Sequence, residues 1–202
     1  MTDTLLLDAA LLGEFESRLR AAGVPAIDAA EPGLSIDEIQ QTVAHLGLEL
    51  PSEAKTWWAW RNGVPVDKGA AATEVGPGRK WLTLSDAAAE CAKSRQEVLD
   101  ENNRPLPGLE GAWSFSWFPF ARFEAFYIIE TDVPAGAPSP VRVVWTDDQP
   151  GREPDLPSMR ALVTLWIEAI DAGIWAYDTQ RDRWVEDFAR LKTWPPGQRG
   201  LV

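Results

Sequence analysis

Four carboxylates stand where an apolar run gives way to a polar one. Glu130 and Asp132 follow Phe126-Tyr127-Ile128-Ile129, and Asp147 and Asp148 follow the run 141–145. Strand-end acids often face a cleft, and two carboxyl groups across a sugar-binding cleft are the machinery of a glycosidase. Tryptophans near them would offer faces for sugar rings. Spacing alone pairs no acid with a base, so the same residues also read as solvated loop acids, or as contacts to a basic partner. Asp155, in the next polar and proline-bearing loop, belongs to the same group, and Trp117 is either a core residue or an apolar anchor for a partner.

Other chemistries fall away on residue types. One cysteine, Cys91, and one histidine, His45, cannot build a Cys/His zinc site. The spaced acidic loop of a calcium site is absent. A serine or cysteine triad has only His45 as its base, and no Gly-x-Ser-x-Gly elbow surrounds a serine. His45 lies off the apolar stripe of its helix and reads as solvent-facing. Cys91, in an alanine-rich stretch, reads as a buried, inert thiol. Val75-Gly76-Pro77-Gly78-Arg79-Lys80 lacks the Walker spacing, and its proline removes a phosphate-binding N–H. No cofactor or metal is expected.

Charge and tryptophan are the unusual features. Nineteen basic residues against 31 acidic ones leave a net charge of −12. Residues 1–34 hold six acids and two bases, and residues 124–160 hold seven and three, so these two segments supply −8 of it. Such a field disfavours nucleic acid and anionic membranes and favours either simple solubility or a basic partner. Eleven tryptophans against two tyrosines imply a tryptophan-rich core, with interface hot spots or sugar platforms as the functional alternatives. The start of the chain lacks a basic signal region, no run is long enough to span a bilayer, and one cysteine excludes an internal disulfide. A soluble, cytoplasmic protein is expected.

The elements that must position these residues follow from periodicity. Residues 3–22 read as a helix stopped by Gly23. Ser35 and Glu38 form a capping box for a second helix ending at Gly47, and Pro51 opens a third ending at Asn62-Gly63. Residues 64–79 read as a loop. Trp81-Leu82 reads as a short strand, and Ser85-Asp86 as the cap of a helix over 86–101. Residues 113–120, 126–129 and 141–145 read as strands. Ser158 begins an amphipathic helix with Leu162, Leu165, Trp166, Ala169 and Ile170, stopped by Gly173. Short strands at 174–177 and 184–185 and a short helix near 186–193 complete the chain. Helices bracketing a central group of strands predict an α+β fold, a mainly antiparallel sheet with helices packed against it in a single domain.

Residues 39–63, with Leu46-Gly47, Leu50-Pro51, Trp57-Trp58-Ala59-Trp60 and Asn62-Gly63, resemble the opening signature of the SUKH superfamily. That superfamily groups bacterial toxin-immunity proteins with a fungal regulator of cell-wall synthesis. The likeness continues in order through Trp81-Leu82, Leu84-Ser85, Trp117-Phe118-Pro119-Phe120, residues 126–130, Pro140-Val141 and Ser158, and covers about residues 35–177. Glu130 stands where the family usually has aspartate, and Thr146-Asp147 where it often has His-Asp.

The resemblance implies an α+β domain, taken as residues 35–194; outside the likeness, residues 1–34 read as an N-terminal helical extension from their periodicity, and the Pro195-Pro196-Gly197 end reads as a disordered tail (195–202). The resemblance also implies a non-enzymatic protein that binds and blocks a toxin, often a basic nuclease. Glu130, Asp132, Asp147, Asp148 and Asp155 would then meet basic residues of the toxin, and Trp117 would be the anchor, while Trp60 and Asn62 are structural. A regulatory scaffold and a carbohydrate-binding protein of the cell-wall pathway stand as alternatives. The oligomeric state is open.

Overall fold

Helix starts are fixed by side chains that accept from otherwise unpaired amides. Asp8 accepts from Leu11 N and opens α1 (Ala9–Ala21). After the short α2 (Ala26–Ala29), Ser35 and Glu38 form the expected capping box of α3 (Ile36–Val43), which tightens into a 3-10 turn and stops at left-handed Gly47. Helix α4 (Ser52–Trp60) follows Pro51. In the computed structural model, residues 6–100, 103–107, 113–122, 125–144 and 153–202 are described, without the side chains of residues 70 and 71. The expected strand residue Trp145 and the acids Asp147 and Asp148 lie outside them.

The segment expected as a loop is structured. A single helical turn, α5 (Ala70–Thr73), leads into β1 (Glu74–Gly76), which turns at Pro77-Gly78 and pairs antiparallel with β2 (Arg79–Trp81). Gly78 takes the positive φ that this turn requires. Thr83, not Ser85, caps α6 (Leu84–Glu97), accepting from Asp86 N. Strands β3 (Trp117–Arg122), β4 (Phe126–Glu130) and β5 (Val141–Val144) extend the sheet in the order β1-β2-β3-β4-β5, antiparallel throughout. Ser158 caps α7 (Met159–Asp171) as expected, and a separate hairpin joins β6 (Trp175–Asp178) to β7 (Arg183–Glu186) before α8 (Phe188–Leu191). The fold is α+β.

One face of the sheet carries Phe118, Phe120, Tyr127, Ile129, Val141 and Val143 into the main core, where α4 and α7 cover it. Tryptophan fills that core. Trp60 stacks on Trp81 at 4.9 Å, and contacts then run from Trp81 to Trp57 (5.5 Å), Trp166 (6.4 Å), Trp175 (6.1 Å) and Trp184 (6.0 Å). Each aromatic pair adds about 0.5–1.5 kcal/mol beyond the area it buries. Cys91 is buried as expected, its thiol donating to Trp117 O, and burial pushes its pKa up against the opposing pull of Arg95.

The N-terminal extension is helical and packs on the domain: Leu12, Phe15, Leu19, Ala26 and Ile27 sit in the same core as the sheet, and α1 packs along α7. One boundary expectation is corrected. The last residues are not a frayed tail, because Leu201 and Val202 are buried and Leu201 O accepts from Trp166 Nε1 at 3.1 Å.

Asn62-Gly63 is a junction. Asn62 Oδ1 accepts from Leu84 N and its amide donates to Glu31, while Gly63 has φ +70°. A Cβ on Gly63 would lie 2.2 Å from Leu82 O, so only glycine lets the two strands of backbone meet there. Glu53, on the first turn of α4, has no exposed surface. Its carboxylate accepts from the amides of Leu7 (2.9 Å), Ser139 (2.6 Å), Met159 (3.4 Å) and Arg160 (3.1 Å), the last two at the N-terminus of α7. A buried charge is tolerated where amides and a helix N-terminus meet it in this way.

Candidate protein-binding site

The other face of the sheet carries Trp117, Phe126, Ile128 and Val144, which pack with Trp113 and Val98 in a second, smaller cluster. Trp117 is buried there, its edge against Trp113 at 5.8 Å, so it is not available as an anchor in this arrangement. Arg142 lies over its ring at 5.5 Å and reaches Glu130 at 2.6 Å across the β4–β5 pair. Glu130 is thus an ion-pair partner within the sheet face. Asp155 is also engaged. Its carboxylate accepts from Val143 N at 2.8 Å, and Leu156 exchanges backbone hydrogen bonds with Val141. Together they block the outer edge of β5, a standard protection against edge-to-edge association.

Asp132 is the sequence-predicted acid that stands exposed among the described residues named above. It lines a groove of about 780 Å³ between the end of α6, the turn after α3 and the segment leading into β3. The segment 113–116 was expected to begin a strand. Instead it turns, with Trp117 N donating to Ser114 O, and the strand starts at Trp117. That turn swings Phe115 outward, where it is 53% exposed on the groove. Arg95 fixes it there: the guanidinium donates to Leu46 O (2.8 Å) and to the Phe115 carbonyl, and lies 5.4 Å from the centre of the Phe115 ring.

The groove therefore pairs a prepositioned aromatic ring with an acidic rim. Glu49, exposed and bound to Lys55 at 3.1 Å, stands with Asp132 on that rim. The hydroxyls of Ser114 and Ser116 lie 2.9 Å apart on the same wall, and Thr131 Oγ1 donates to Ser116 O. The groove runs on past Glu49 and Thr131 into a smaller depression beside residues 133–136. Sequence reading missed Phe115 and Glu49. The available signal put Phe115 in phase with Trp113 and Trp117, on the face a strand would bury, and the turn closed by Trp117 N and Ser114 O takes it out of that phase.

Tryptophan platforms for sugar rings would need exposed indoles. None of the described tryptophans is exposed; Trp60 and Trp194 are half-buried, and Trp60 Nε1 donates to Glu16. Among the described residues, no group of three or more His, Cys, Asp or Glu side chains converges as a metal site, and no helix is long and apolar enough to cross a membrane. His45 is exposed.

No model of a known protein family matches this chain, and no curated protein matches it.

Proposed function

We propose that the chain is a non-catalytic binding domain that docks on a basic protein and neutralises it, as an immunity protein of the SUKH type does with its toxin. The observation that carries this reading is Phe115, held exposed on Arg95 beside an acidic rim. Rigid aromatic anchors ringed by polar residues are where binding energy concentrates. The net charge of −12 supports a basic partner, which it would steer onto this face at high rate. Membership of the SUKH superfamily rests on the ordered motifs of residues 35–177. A single buried cysteine fits a reducing compartment, and we place the protein in the cytoplasm on that ground.

The test is affinity capture from the native organism at low and moderate salt, with the natural chain and with Asp132→Lys as baits. The reading expects one basic, toxin-like protein whose recovery falls as salt rises and disappears with Asp132→Lys. It also expects purified chain to block that protein's activity. Recovery of wall-synthesis or housekeeping proteins, equally by both baits, would overturn it in favour of a regulatory scaffold.

A further inference from the structure

A second cavity, of about 340 Å³, opens between the β1–β2 turn, the hairpin strand β7 and the last residues described. It shares no lining residue with the groove. Ala125, Val143, Leu191 and Val202 give it apolar walls. Its size and its few polar groups are those of a small-molecule site, since such sites span about 300–1,000 Å³.

Arg79 is the unusual residue in it, a cation only 6% exposed. Its guanidinium lies 4.8 Å from the Trp175 ring centre and 5.5 Å from that of Tyr127. Nε donates to the Tyr127 hydroxyl at 2.8 Å, and Nη1 donates to Pro77 O and lies 4.0 Å from Glu186. Nη2 meets no acceptor among the described residues. The Tyr127 hydroxyl, having accepted from Arg79, keeps its own proton to donate, and no acceptor for it stands among the described residues either. Burial pushes the pKa of that hydroxyl up against the pull of Arg79, and the carboxylates of Glu186 and Asp155 add to the rise, so it stays a donor at neutral pH.

Arg199 also lines the cavity, its Nε and Nη2 bound to the carbonyls of Trp194 and Lys192. The charged side chains lining it are the guanidinium groups of Arg79 and Arg199 and the carboxylate of Glu186, and Asp155 also acts on the Tyr127 hydroxyl. A buried cation is costly unless an anion or acceptors meet it.

We propose that this cavity binds a small organic carboxylate with a short apolar tail. Its oxygens accept from Arg79 Nη2 and the Tyr127 hydroxyl, and its tail lies along Val143 and Leu191. This site is independent of the protein-binding groove.

The test titrates the full chain with hexanoate, following tryptophan fluorescence, since Trp175 packs on Arg79, and the thermal midpoint. The proposal expects saturable binding that raises the midpoint. It expects neutral hexanamide and inorganic phosphate to bind about tenfold more weakly or worse, because each lacks either the charge or the tail. Tyr127→Phe, which keeps the ring, should weaken hexanoate by about tenfold, and Arg79→Gln should abolish its binding. Should Arg79→Gln fail to fold, Tyr127→Phe decides. Absence of saturable binding, equal binding of hexanamide or phosphate, or an unchanged affinity in Tyr127→Phe would each overturn the proposal.

Discussion

The carboxylate of Glu53 lies 2.6 Å from the amide nitrogen of Ser139, 86 positions further along the chain. With Leu7, Met159 and Arg160 as its other donors, this one side chain joins the N-terminal segment, the loop after β4 and the start of α7.

Glu53→Gln keeps the shape and replaces an accepting oxygen with a donating amide. Two of the four backbone donors then face another donor. Unfolding free energy should fall by about 2–3 kcal/mol, read from urea midpoints at constant m. A change below about 0.5 kcal/mol would mean that the displaced amides find other acceptors without cost.

Gly63→Ala should cost about 2–4 kcal/mol, from the positive φ and the approach of Leu82 O. Gly47→Ala has a similar φ but nothing within 4 Å of its Cβ, and should cost about 1–2 kcal/mol. The difference between the two midpoints isolates the contact from the backbone strain.

Acid should loosen the contact between α1 and α4 through Glu16. Burial alone would raise its pKa, but hydrogen bonds from Arg20, Arg61 and Trp60 outweigh it and hold the carboxyl below its ordinary 4.5. A depressed carboxyl contributes stability that is present above the unfolded value and lost as pH falls through the folded one. The urea midpoint of the natural chain should therefore drop below pH 4.5. Glu16→Gln should be less stable at neutral pH and show a shallower acid decline. Parallel pH profiles for the two proteins would refute the assignment.

Phe115→Ala should leave stability within about 0.5 kcal/mol, because the ring covers little of the core. It should weaken partner binding by about 2 kcal/mol, roughly thirtyfold. Asp155→Ala is the converse case. It should speed hydrogen exchange at the Val143 amide and cost about 1–2 kcal/mol, since that carboxylate guards the edge of β5.

Legibility in the sequence tracks the range of each interaction. Ser35 with Glu38 and Ser158 with the apolar stripe of α7 are local signals, and those helices start where the residues say. The strands at β4 and β5 follow from their apolar runs. Of the β1–β2 hairpin only the Trp81 end was legible, because its strands are three residues each and its turn shares the glycine and proline of a loop. Leu201 looked like part of a frayed end because its anchor, Trp166, is 35 residues away. In the site, the acids were visible as residues and invisible as partners. Nothing local says that Glu130 is spent on Arg142, that Asp155 is spent on Val143, or that Phe115 rather than Trp117 is the ring left outside.

The ring-to-ring path from Trp60 through Trp81, Trp57, Trp166 and Trp175 to Trp184 has an optical consequence. Indoles at 4.9–6.4 Å are close enough for their excited states to mix and for excitation to hop along the row. The native molecule should therefore show an intense, structured near-ultraviolet dichroism and strongly depolarised emission. Both are spectral signs of fixed packing and should vanish in a collapsed state that keeps its helices but lets the indoles turn independently.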